Sequence, residues 1–200
     1  KYLLPILLVG FCFGQSNINN IAYCTLLSGG DMGDSPSIYR INLDSSSLDT
    51  ILSNSILHDV AEDQNTMLIS PLIESNPSLH VISPIILYNF GAFDDTLNAT
   101  GYNARFTSDE NTIIYSKVGD DIGSQLDYSG IYKYSLNTQE SIAVADSAFR
   151  LDYLLSNEKN RILWLNKIPM VDSLEILIHH IDINQTDTLE IRLGLDQVAD

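Results

Sequence analysis

Apolar and polar residues alternate along most of this chain, in short runs separated by clusters of Asp, Asn, Ser and Thr. A period of two is the mark of strands with one buried face. Tyr102-Asn103-Ala104-Arg105-Phe106 alternates, Ser108-Asp109-Glu110-Asn111 supplies short polar side chains for a tight turn, and Thr112 to Tyr115 is β-branched and aromatic. Together these predict a hairpin. A second hairpin follows, with Gly130 to Leu136, a turn at Asn137-Thr138-Gln139-Glu140, and Ser141 to Ala145. Between turn signals no window sustains a 3.6-residue period, which excludes long helices. Ser147 to Leu155 has a helical alternative, but its Phe149, Leu151, Tyr153 and Leu155 fit a strand equally well.

The pattern repeats. Asp63-Gln64-Asn65-Thr66-Met67-Leu68-Ile69-Ser70 returns 46 residues later as Asp109 to Ser116. The same step backwards reaches Asn17 to Cys24, and a forward step of 46 to 49 reaches Asn157 to Asn166. On this spacing Ile21, Met67, Ile113 and Ile162 are equivalent, while Tyr23, Tyr115 and Trp164 share one position and are expected in the core between repeats. Each copy continues into a second alternating pair, as in Ser37 to Leu52 and Glu175 to Leu193, the copy around Pro84 to Asn98 being the most decayed. Four strands in about 46 residues is the content of one β-propeller blade. The expectation is therefore an all-β β-propeller of four-stranded antiparallel blades, near residues 15–57, 58–100, 101–146 and 147–195. Most closed rings hold more blades than four, so the chain reads as an incomplete segment of a larger propeller, with a four-bladed ring as the alternative.

Ala104 to Tyr115, followed by Ile131-Tyr132-Lys133-Tyr134-Ser135-Leu136-Asn137-Thr138-Gln139-Glu140, resembles the propeller repeats of the TolB-like and WD40-like group. Those blades read as a strand, a Ser-Pro-Asp-Gly-like turn, an apolar strand, an Ile-Tyr-x-x-Asx strand and a Thr-Gly-Glu-like turn. The resemblance runs from about Ser16 to Leu195. It departs in having no Pro or Gly in the Ser108 turn and no Trp-Asp pair. It concerns repeat grammar and selects no function.

Lys1, the apolar stretch Tyr2 to Phe13 interrupted by Pro5, and Gly14 before polar Gln15-Ser16-Asn17 describe a secretory signal over residues 1–14. The alternative makes Phe11 and Phe13 part of a first strand. The triplets Asn98-Ala99-Thr100 and Asn184-Gln185-Thr186 make Asn98 and Asn184 glycosylation candidates on surface loops. The expected location is secreted or extracytoplasmic, with tethering by a C-terminal anchor as a variant. Cys12 would leave with the signal, and Cys24 is expected as a small buried hydrophobe; a Cys12 to Cys24 disulfide requires the start to be retained.

The 26 acidic and 10 basic residues give a net charge of −16, which argues against a nonspecific grip on nucleic acid or anionic lipid. Arg40, Arg105, Lys133, Arg161 and Arg192 are scattered and form no phosphate-binding stripe.

Four loops of variable length follow the second strand of each repeat, within Ser28 to Pro36, Pro71 to Pro84, Val118 to Ser129 and Ile168 to Leu174. In a propeller they emerge on one rim, where insertions mark a binding face. Asp31, Asp34, Glu74, His80, Asp120, Asp121, Asp127 and Asp172 are the candidates for that face. The Asp runs supply oxygen ligands of the kind calcium takes, but neither reproduces the twelve-residue calcium loop, and Asp beside Gly also serves turns. No cofactor is expected. No Gly-x-Ser-x-Gly occurs, His58, His80, His179 and His180 form no local zinc set, and adjacent His179 and His180 face opposite ways on a strand. Carboxylates converging from several blades would be needed for glycoside chemistry. The reading is a non-catalytic propeller that binds a protein partner through its rim loops. The alternative is the accessory propeller of a larger enzyme, such as a prolyl-oligopeptidase-like serine peptidase.

Overall fold

The computed structural model describes residues 20–27, 36–71, 83–90, 95–118, 128–149, 153–167 and 173–192. Among them are fifteen β-strands and no helix. The first sheet holds β1 (Ile21–Leu27), β2 (Pro36–Asn42) and β3 (Ser47–Ser53) in sequential order. The second holds β4 (Ser55–Val60), β5 (Thr66–Pro71), β6 (Pro84–Asn89) and β7 (Asp95–Thr100). The third is β8 (Tyr102–Phe106), β9 (Thr112–Val118), β10 (Tyr128–Ser135) and β11 (Glu140–Phe149). The fourth is β12 (Tyr153–Leu155), β13 (Arg161–Lys167), β14 (Ser173–His180) and β15 (Gln185–Arg192).

Each sheet is a meander of three or four antiparallel strands, and no sheet of the described residues closes on itself. This is the all-β architecture of an incomplete propeller segment. Ser147 to Phe149 and Tyr153 to Leu155 are strand, so the helical alternative fails there. Contacts divide the chain at Leu97 into two compact units, the first two sheets forming one and the last two the other, with the division inside β7.

The repeat is written in the backbone. Leu43, Phe90, Leu136 and Ile181 N–H donate to the carbonyls of Asn20, Asn65, Asn111 and Asn160, at 2.7, 3.0, 2.9 and 2.9 Å. The four asparagines are therefore equivalent, and so are β1, β5, β9 and β13. This corrects one detail of the sequence spacing. The step from the first copy to the second is one residue shorter than 46, so Ala22 matches Met67, Ile113 and Ile162, and Ile21 does not. Cys24 lies opposite Tyr39 as Ile69 opposes Ile86, Tyr115 opposes Tyr132 and Trp164 opposes Leu177. Tyr23 instead matches Leu68, Ile114 and Leu163. A slip of one residue moves a side chain to the other face of its sheet, so Tyr23 does not share the face of Tyr115 and Trp164.

Each unit contains the same packed interface. In the first, Tyr23 and Ile38 of sheet 1 meet Leu57, Val60, Met67 and Ile69 of sheet 2. In the second, Ile114 and Ile131 of sheet 3 meet Tyr153, Ile162 and Trp164 of sheet 4, with Leu155 alongside. Position for position these are the same residues of the repeat. Burial of these faces is the main force pressing sheet on sheet.

The two interfaces are pinned differently by polar groups. The Leu57 N–H donates to Thr25 Oγ1 at 2.9 Å, tying β4 to β1. In the second unit the Tyr153 hydroxyl reaches the carbonyls of Ile114, at 2.8 Å, and of Asn103. Within sheet 3, the close approach of the chain before β8 to β9 requires Gly101, where a Cβ would stand 2.2 Å from the Ser116 carbonyl oxygen.

Candidate functional site

The tight hairpins lie at one end of each sheet, opposite the strand ends that the variable loops connect. The first hairpin of sheets 2, 3 and 4 is one design. Ala61, Thr107 and Ser156 N–H donate to the carbonyls of Thr66, Thr112 and Arg161 at 2.9, 3.0 and 2.9 Å. Gln64, Glu110 and Lys159 occupy the position that turns left, with φ of 57, 51 and 53°. An Asp then ties the turn: Asp63 Oδ1 accepts from Asn65 and Thr66 N–H at 2.8 and 3.2 Å, and Asp109 Oδ1 from Asn111 and Thr112 N–H at 3.0 and 3.1 Å. In the fourth copy Glu158 stands at this position, and Ser156 Oγ accepts from Asn160 and Arg161 N–H instead, at 3.3 and 3.2 Å. Partial burial pushes the Asp109 pKa up, but hydrogen bonds from Thr107, Asn111 and Thr112 outweigh it and hold the carboxyl below its ordinary value.

Between the hairpin ends of sheets 3 and 4 a cleft of about 300 Å³ opens, bordered by Asp109, Lys133, Glu140, Ile142, Ile181 and Asp182. Its walls are joined at two points. Ser108 N–H donates to the Lys159 carbonyl at 3.1 Å, and Lys133 Nζ donates to Asn184 Oδ1 at 3.3 Å. His179 is buried at 4 % exposure; its Nδ1 lies 3.0 Å from Thr186 Oγ1, and its Nε2 is buried without a hydrogen-bond partner. Burial first, then Lys133 and His180, lower its pKa below the usual histidine value. His180 Nε2 lies 3.2 Å from Asp187 Oδ2 at a more exposed position. Hydrogen bonds from Gln185 and then His180 hold the exposed Asp187 carboxyl low.

The cleft has a counterpart position in the first unit with different chemistry. Arg40 matches Lys133, and Asp49, which pairs with it at 2.9 Å, stands where the second unit has Ile142. Tyr88 matches His179 and packs edge-on against Phe90 with ring centroids 5.4 Å apart.

A second buried polar pair sits in the first unit. His58 lies inside β4, the first strand of the second sheet, where it occupies a bulge between Leu57 and Asp59. Its Nε2 is 2.8 Å from Ser70 Oγ, and Ser70 donates its single hydroxyl proton to the Pro84 carbonyl at 2.9 Å. The imidazole must then donate to the serine oxygen. That is the reverse of the direction a general base needs to activate a serine, so the pair braces the bulge.

The rim-loop candidates Asp31, Asp34, Glu74, His80, Asp120, Asp121, Asp127 and Asp172 lie outside the described residues, as do residues 1–14 and Cys12. Their loops join the equivalent strands β1 to β2, β5 to β6, β9 to β10 and β13 to β14. Asn98 is exposed, but on strand β7 and not on the surface loop expected for it, whereas Asn184 is exposed in the β14–β15 turn with φ 52°. Cys24 is fully buried. Among the described residues no group of three His, Cys, Asp or Glu is gathered around a possible metal position, and no helix is long and apolar enough to cross a membrane. Sequence spacing did not single out Lys133, Asn184 or the cleft. The signal was present only as a broken match, Ile142 for Asp49 and His179 for Tyr88.

No protein-family model matches the chain, and no curated protein sequence matches it. Solved structures do. TolB from Acinetobacter baumannii is similar at 13% identity and TM-score 0.60, over 86% of this chain and 41% of that one. Acylaminoacyl peptidase of Pyrococcus horikoshii is similar at 9% identity and TM-score 0.62, over 92% of this chain and 33% of that one. The β-propeller domain of the Trilobed protease from Pyrococcus furiosus, described as having an open velcro topology, is similar at 11% identity and TM-score 0.58, over 88% and 55%. The chain thus spans between 33% and 55% of the length of these three structures. At these identities the likeness shows the fold, which is β-propeller-like.

Proposed function

We propose that this chain is part of an accessory, non-catalytic β-propeller of a larger enzyme, of the kind carried by serine peptidases. The supporting observation is the likeness to an acylaminoacyl peptidase over 92% of this chain but 33% of that protein, together with the likeness to a protease's β-propeller domain. Such a domain binds and orients, and the nucleophile is supplied elsewhere. The direction of the His58 to Ser70 hydrogen bond agrees with this, since it leaves the serine unactivated. The test is the complete reading frame from the source transcript. The proposal requires a nucleophile elbow of the Gly-x-Ser-x-Gly type with Asp and His after it. A frame without one rejects the peptidase assignment.

The second reading is a partner-binding propeller outside the cytoplasm, favoured by the TolB likeness and by four insertions at equivalent strand ends. It takes residues 1–14 as a leader, Asn98 and Asn184 as sugar acceptors, and the eight rim-loop residues as the contact face. Under this reading, replacing Asp120 and Asp121 by Ala abolishes capture of a partner while the urea midpoint is unchanged. Loss of both together, or of neither, rejects that face.

A further inference from the structure

We propose that His179 makes the junction of sheets 3 and 4 acid-sensitive, so that a proton gained there drives the β14–β15 turn away from Lys133. His179 lies opposite Ile162 on β13, and Ile162 belongs to the core shared with sheet 3, so the imidazole faces that sheet. The ring is buried, its Nε2 has no acceptor, and its Nδ1 meets only the neutral Thr186 hydroxyl. Across the junction Lys133 reaches over to Asn184 in the turn that follows β14. A protonated His179 would thus combine an unpartnered buried N–H with a second cation beside an existing one.

The first unit shows what the second lacks. There the cation at the Lys133 position, Arg40, is neutralised across the strands by Asp49, and a neutral Tyr88 replaces the imidazole. In the second unit Ile142 faces Lys133, and among the described residues neither Lys133 nor His179 forms an ion pair. Other charged groups around the junction include Asp109 and Glu140 on sheet 3, Asp182 in the turn, His180 with Asp187 on sheet 4, Lys159 in the β12–β13 turn and Arg161 opposite His180. Asp109 is held by its own turn, and Asp187 lies against His180. The low proton affinity of His179 agrees in sign with this arrangement. An unfolded chain takes up the proton near the ordinary histidine value, so the contribution to stability is complete above about pH 6.5 and declines as pH falls below it.

The test uses the 200-residue chain, its His179→Tyr variant, which installs the first unit's residue, and Ile142→Asp, which gives Lys133 the partner Arg40 has. Melting temperatures are measured at about pH 7.5 and about pH 5, spanning the histidine range. The wild-type fall between the two is expected to exceed that of His179→Tyr by about 2 to 4 °C, with Ile142→Asp in between. A His179→Tyr protein with the full wild-type fall overturns the proposal. If both variants misfold, the histidine C2–H signals of the wild type decide: a His179 midpoint below the ordinary value with concurrent shifts at Lys133 and Asn184 supports the switch, and a midpoint at or above it, or no shift at those residues, refutes it.

Discussion

Replacing Trp164 by Ala removes the largest side chain of the interface between sheets 3 and 4. The indole is 4 % exposed and packs in one cluster with Ile114, Ile131, Tyr153 and Ile162. An aromatic side chain of this kind buries about 150 to 250 Å². At about 25 cal/mol per Å² that corresponds to about 4 to 6 kcal/mol, an upper estimate because the unfolded chain already buries some of it. Core truncations of Trp to Ala cost about 3 to 5 kcal/mol, the range expected here. Leu154 is the control. It neighbours Tyr153 on β12 but points outward at 70 % exposure, so Leu154→Ala should cost under about 0.5 kcal/mol. Trp164 is the single tryptophan, so the assay is urea unfolding followed by far-UV circular dichroism, with slopes compared as well as midpoints. Equal and small losses in the two variants would refute the assignment of Trp164 to an inter-sheet core.

Tyr153→Phe keeps the ring and deletes the hydroxyl that reaches the Ile114 and Asn103 carbonyls, and should lower the unfolding free energy by about 1 to 2 kcal/mol in the same assay. Glu110→Gly relieves a non-glycine residue at φ 51° and should raise stability by about 0.5 to 1 kcal/mol, less than the strain itself because glycine also loosens the unfolded chain. Asp109→Ala removes the acceptor of the Asn111 and Thr112 N–H groups and should cost about 1 kcal/mol. Its carboxyl titrates below the ordinary value in the folded chain, so this contribution is present above the unfolded pKa and disappears as pH falls through the folded one; acid unfolding curves of the two proteins should converge there.

The architecture was legible because turn chemistry and strand period repeat together. Asp63 and Asp109 each tie a hairpin that their spacing from Asn65 and Asn111 predicts. Around Tyr153 the alternation fits helix and strand alike, and the pairing of β12 with β13 settles it as strand. Two things were hidden. The first copy lacks the Asp of the turn and is one residue shorter in its step, so Tyr23 was matched to the wrong position; strand identity survives such a slip, but the face does not. The Lys133 to Asn184 contact joins residues of different repeats, and cross-sheet pairing leaves no local pattern in sequence. The rim-loop carboxylates were chosen by position alone, and their arrangement lies outside the described residues.

The equivalence of the four sheets is tested most directly by Hα–Hα nuclear Overhauser contacts across the strands. The bond from Leu43 N–H to Asn20 makes that facing pair hydrogen-bonded, so by alternation Tyr23 and Arg40 form a close non-hydrogen-bonded pair. The account predicts contacts for Tyr23 with Arg40, Leu68 with Leu87, Ile114 with Lys133 and Leu163 with Ile178. Contacts displaced by one residue in any of the four, or missing from one, would contradict it.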